Sequence, residues 1–93
     1  MNTVKKPEDV RIVIAQRGWV FVGIYHRATR DEVVLTKAQC VRRWGTTRGL
    51  GEIAAAGPTK DTVLDPHGTV RLHPLAVVAT IQCEATKWAA WLV

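Results

Sequence analysis

The chain is poor in cysteine, in long apolar runs and in blocks of like charge, and each shortage excludes something. Cys40 and Cys83 are its two cysteines. They form no CxxC pair and stand at no metal-ligand spacing from His26, His67 or His73, so neither a zinc site nor a disulfide framework is indicated. Both read as small buried hydrophobes; their spacing leaves open whether they lie close together. No run approaches the roughly 18 apolar residues that a membrane-spanning helix needs. The start, MNTVKKPED, leads into the short apolar run RIVIA rather than a signal-peptide core. A cytoplasmic location is the expectation. No five like charges stand together, so there is no basic tail of the kind that grips nucleic acid.

What remains describes a small, basic, apolar domain. Of 93 residues, 47% are hydrophobic and 23% charged, too apolar for a disordered chain. The expectation is a single domain over 1–93, with 1–8 a loose lead-in carrying Pro7. A chain this short buries only about two-thirds of its unfolded surface, so self-association could add burial. Thirteen basic residues against eight acidic ones give a net charge of +5, which favours an anionic partner without naming it. There is one Phe and one Tyr but four Trp, so indole area carries much of the aromatic burial.

The patterning is that of strands. Val10–Ala15 is β-branched and short; Gln16-Arg17-Gly18 reads as a turn; residues 19–27 follow as a second strand. In that strand Trp19, Phe21, Gly23 and Tyr25 share one face and Val20, Val22, Ile24 and His26 the other. Both faces are largely apolar, which places it centrally, and Gly23 suggests a bend or bulge. Further short strands are expected at 32–36, 40–44, 62–64, 69–72 and 75–84, with Asp65-Pro66-His67-Gly68 as a turn. Residues 49–56 read as a short helix with Gly49 as N-cap, Glu52 in the first turn and a stop at Gly57-Pro58. Leu50, Ile53 and Ala54 would face the core. Residues 86–93 could form a short C-terminal helix or stay extended; on a helix Trp88 and Trp91 would share a side. The fold class is mainly β: a small antiparallel barrel or sandwich of about seven strands with one short helix between the fourth and fifth.

The candidate site is the stretch VRRWGTTRGLG, residues 41–51. From Val33 to Gly51 there are four basic residues and no acidic one. Arg42, Arg43 and Arg48 offer guanidinium forks for phosphate. Thr46 and Thr47 offer hydroxyls, Gly49 and Gly51 leave backbone amides free at a helix start, and Trp44 could stack on a base. Lys60 could join from the next loop. The plainer alternative is that the arginines are solvated, Trp44 is core and the glycines serve the turn. GLGEIA formally matches a dinucleotide fingerprint, but the helix ends too soon for a crossover, and no Gly-Lys-Ser/Thr follows to make a P-loop. No Ser, Cys, His and carboxylate stand at a recognisable catalytic spacing, so no catalytic residue, metal or cofactor is expected and an enzyme is the less favoured class.

The strings RRWGTTRGLGEIA, GPTKDTVLDP and GTV, within Val33–Glu84, resemble a family of short proteins of tailed phages and prophages. The resemblance implies a context, a small accessory protein acting in the cytoplasm of an infected bacterium. Several unrelated phage families of that kind sequester nucleotide signals of host defence, often as oligomers. The leading expectation is therefore sequestration of a phosphate-bearing nucleotide without catalysis. A single-stranded nucleic-acid-binding protein comes second. The third is a structural protein with no small ligand, whose contacts, or those of a homo-oligomer, run through Trp88 and Trp91.

Overall fold

The computed structural model describes residues 8–92. The lead-in expected over 1–8 lies, but for Glu8, outside them. Five antiparallel strands form one sheet: β1 (Val10–Ala15), β2 (Val20–Thr29), β3 (Glu32–Arg43), β4 (Val63–Leu72) and β5 (Val77–Gln82). Their order is β4-β3-β2-β1-β5, so β2 is central and the two edges are adjacent in sequence. Two short helices complete the described chain, α1 (Leu50–Ala56) and α2 (Ala85–Trp88). Neither is long and apolar enough to cross a membrane.

That order forces the sheet to curl. Held flat, its edges would stand about 19 Å apart, four inter-strand spacings. The five steps from Leu72 to Val77 reach at most about 18 Å, and a 3-10 turn at Pro74–Ala76 shortens them. At Gly23 the β2/β3 register shifts. A Cβ there would lie 3.1 Å from the Thr36 carbonyl oxygen and 3.2 Å from the Ala38 Cα, so any larger residue would push the two backbones apart by a few tenths of an ångström. Yet β4 and β5 are not paired with each other. The expected mainly β, antiparallel class holds, and its barrel or sandwich resolves to a single sheet that is not closed.

Seven expected strands become five because two breaks are bulges. The 32–36 and 40–44 strands are one, β3, running through Lys37 at φ 52°. The expected turn 65–68 lies inside β4, where Gly68 (φ 68°) pairs with Ala38 and Pro66 with Gln39. The irregularities face each other, so both strands kink together. In sequence, a Pro-Gly turn and a bulge share one signature.

Each sheet face carries its own core. Val10, Ile12, Val20, Val22, Ile24 and Val41 pack on one side beneath α1, which contributes the expected Leu50, Ile53 and Ala54. Trp88 and Leu92 seal that layer. The concave side holds Val13, Phe21, Leu35, Ala38 and Cys40, flanked by Tyr25, Val70, Leu72 and Val77. Alternation along β2 thus feeds both cores, as the pattern of residues 19–26 implies. Cys83 belongs to the first core and Cys40 to the second; both are free thiols.

Candidate functional site

The 41–51 stretch forms a contiguous corner where β3 gives way to α1. Its backbone is pinned to the facing loop. The Thr59 hydroxyl donates to the Gly45 carbonyl at 2.7 Å and the Thr62 hydroxyl to the Trp44 carbonyl at 2.8 Å. These bonds set Lys60, exposed, in the loop beside the corner. Arg42 donates to Asp65 at 2.9 Å. Arg43, Trp44 and Arg48 are exposed, Trp44 at 44%.

The corner carries an anion of its own, and it is held by the amides of Thr47 and Arg48, not by those of Gly49 and Gly51. The Thr47 and Arg48 amides donate to Glu52 Oε1 at 3.1 and 3.0 Å, and the Thr47 hydroxyl donates to the same oxygen at 3.2 Å. The Gly49 amide goes to the Thr46 hydroxyl oxygen at 3.0 Å. Gly51 is exposed on the first turn of α1. Desolvation pushes the Glu52 carboxyl up, but the Arg48 and Thr47 amides, the Thr47 hydroxyl and the Arg48 charge outweigh it and hold the pKa below its ordinary 4.5. Thr46, Thr47 and Gly49 therefore spend these hydrogen bonds on the corner itself.

A different concavity, which the sequence reading did not single out, lies where the curled sheet stays open. It has a volume of about 440 Å³. Trp19, Phe21 and His67 supply its aromatic wall, and Ala15, Val70, Leu72 and Ala76 its aliphatic surface. The Trp19 and Phe21 rings stack, 3° from parallel with centroids 5.8 Å apart. His67 meets Phe21 edge-on at 5.9 Å, and its Nδ1 lies 3.2 Å from the Asp65 carbonyl oxygen. Phe21 is buried while Trp19 is 51% exposed, so the indole offers the groove an open aromatic surface.

Arg17 and Gln16 complete the rim. Gln16 Nε2 donates to the Leu75 carbonyl at 3.4 Å, bridging the β1–β2 turn to the β4–β5 connection. The groove connects with the predicted site through the sheet register. Phe21 pairs with Cys40, the residue two before Arg42 on β3. The W-x-F alternation was visible in the sequence. The approach of Val70 and Leu72 was not, because it depends on the curl.

At the other end of the concave face, Arg11 lies 3.9 Å above the Tyr25 ring and is bound to both oxygens of Asp9. Among the described residues no three His, Cys, Asp or Glu side chains converge on a metal-sized space. Of the expected tail contacts, Trp88 is fully buried and donates to Ile53, whereas Trp91 is 43% exposed. A scan against protein-family models and a comparison with curated proteins both return no match.

Proposed function

We propose that this chain is a non-catalytic binding protein that sequesters a phosphate-bearing, nucleotide-type molecule, with the ring of that molecule in the Trp19 groove. The observation that carries the reading is the half-exposed Trp19 indole, backed by Phe21, on the wall of a cavity of about 440 Å³. That volume suits a small ligand. Aromatic faces accept any base by stacking. The net charge of +5 favours an anionic guest. The resemblance to accessory proteins of tailed phages supports a role in an infected bacterium, withdrawing a nucleotide signal of host defence.

A second reading has its own support: exposed Trp44, between Arg43 and Arg48, could form a stacking platform for a single strand. Thermal-shift screening against nucleotides and short oligonucleotides separates the two. The groove reading expects stabilisation by a nucleotide that Trp19→Ala abolishes and Trp44→Ala and Arg48→Ala leave in place. Stabilisation confined to oligonucleotides, lost in Trp44→Ala and falling steeply with salt, would replace it with the strand-binding reading.

A further inference from the structure

The geometry points to Arg17 as the residue that selects the charge of the ligand, holding the phosphate of a single nucleotide whose ring lies against Trp19. This rests on the groove reading and adds to it the size of the ligand and the group that recognises its anion.

Backbone conformation is the first argument. Arg17 sits at φ 67° and ψ 20°, and Gly18 follows at φ 81°. Both lie in the left-handed region, inside a three-residue turn closed by the Ala15 amide donating to the Trp19 carbonyl at 2.8 Å, a conformation that suits Gly, Asn or Asp. An arginine there opposes its own backbone preference, and such outliers gather at ligand-binding positions. The turn itself requires nothing of the guanidinium.

Electrostatics supplies the second. The described ion pairs engage Arg11 with Asp9, Arg42 with Asp65 and Arg71 with Glu32. Arg17 belongs to none of them, and it is the cation among the groove-lining residues. A positive fork beside a stacking surface matches an anion attached to a planar ring. The third argument is size. About 440 Å³ lies toward the small end of ligand cavities. It accommodates a nucleotide, whereas a longer strand would leave most of its length outside.

The test is calorimetric titration of wild type, Arg17→Gln, Arg17→Gly and Trp19→Ala with adenosine, guanosine and uridine, each beside its 5′-monophosphate. At least one monophosphate should bind wild type about tenfold more tightly than its nucleoside, the increment of a charge-assisted contact. Both Arg17 variants should bring that ratio to about one while leaving the nucleoside affinity unchanged. Trp19→Ala should weaken nucleoside and nucleotide alike. Arg17→Gly should also raise Tm by about 5 °C through relief of the left-handed conformation. A ratio that survives Arg17→Gln overturns the role of Arg17 and leaves the groove standing. Failure of every nucleoside and nucleotide to bind overturns both proposals. A lower Tm in Arg17→Gly overturns the claim that the turn disfavours arginine.

Discussion

The indole N–H of Trp88 donates to the backbone carbonyl of Ile53 at 3.0 Å, and the same oxygen accepts the Gly57 amide at 2.8 Å. Helix α1 has seven residues, too few to persist alone, and its terminal carbonyls need partners. The C-terminal segment provides them, since the Glu84 amide also donates to Ala54 at 2.8 Å. Trp88→Ala should cost about 3–5 kcal/mol through lost burial and a cavity. Trp88→Phe keeps most of the volume and loses the bond, costing about 1–2 kcal/mol. Urea unfolding followed by circular dichroism measures both. Equal costs for the two would mean that the hydrogen bond, not the packing, anchors the tail.

Gly45 and Gly51 make an opposed pair. A Cβ at Gly45 would stand 2.4 Å from the Asp61 carbonyl carbon and 2.5 Å from the Thr62 nitrogen, at φ 66°. Gly45→Ala should destabilise by about 2 kcal/mol or more, since the clash is with backbone and adds to the left-handed strain. Gly51 is helical with nothing within 4 Å of its would-be Cβ. Gly51→Ala should stabilise by up to about 1 kcal/mol. Differential scanning calorimetry should move Tm in opposite directions. A rise in Gly45→Ala would mean that the 44–46 and 59–62 loops do not press together as described.

The sequence pattern shows the central position of β2, its two apolar faces and the bounds of α1, because strand alternation and helix caps are local signals. It shows less wherever a local signal has two structural outcomes. Asp65-Pro66-His67-Gly68 makes a bulge instead of a turn because β3 kinks opposite it at Lys37, 28 residues earlier. The 41–51 corner is legible as a cluster of donors, yet which acceptor they meet depends on the rotamer of Glu52. The groove is the least legible feature. Phe21 and Val70 are 49 residues apart and share it only because a short β4–β5 connection curls the sheet.

Glu52 gives the corner an acid dependence. Its folded pKa lies below its ordinary 4.5, so its contribution to stability is complete above that value and is lost as pH falls through the lower folded one. Asp9 adds to the trend: its hydrogen bond with Arg11 leads the causes that hold it below 3.8, against desolvation. Glu52→Gln should lower Tm at pH 7, and the gap to wild type should narrow steadily below pH 4.5. A gap constant from pH 7 to pH 3 would show that the carboxylate charge does not hold the Thr47 and Arg48 amides.

The two thiols are both buried and lie in separate cores, which makes them probes of opening rather than of redox state. Burial pushes Cys83 up to about 12, against a weaker opposing effect of the Ile12 backbone. Cys40 is raised as well, by desolvation first and then by the Asp65 charge. The thiolate is the reacting species, so at pH 8 neither should react with an aromatic disulfide reagent at the rate of a free thiol. Cys83 should be the slower, released only when α1 and the Trp88 tail lift from the sheet. Trp88→Phe should then accelerate Cys83 more than Cys40, because its effect begins in the core that holds Cys83. Peptide mapping of the labelled protein over time reads this directly. Equal acceleration at both positions would show that the two cores open as one unit.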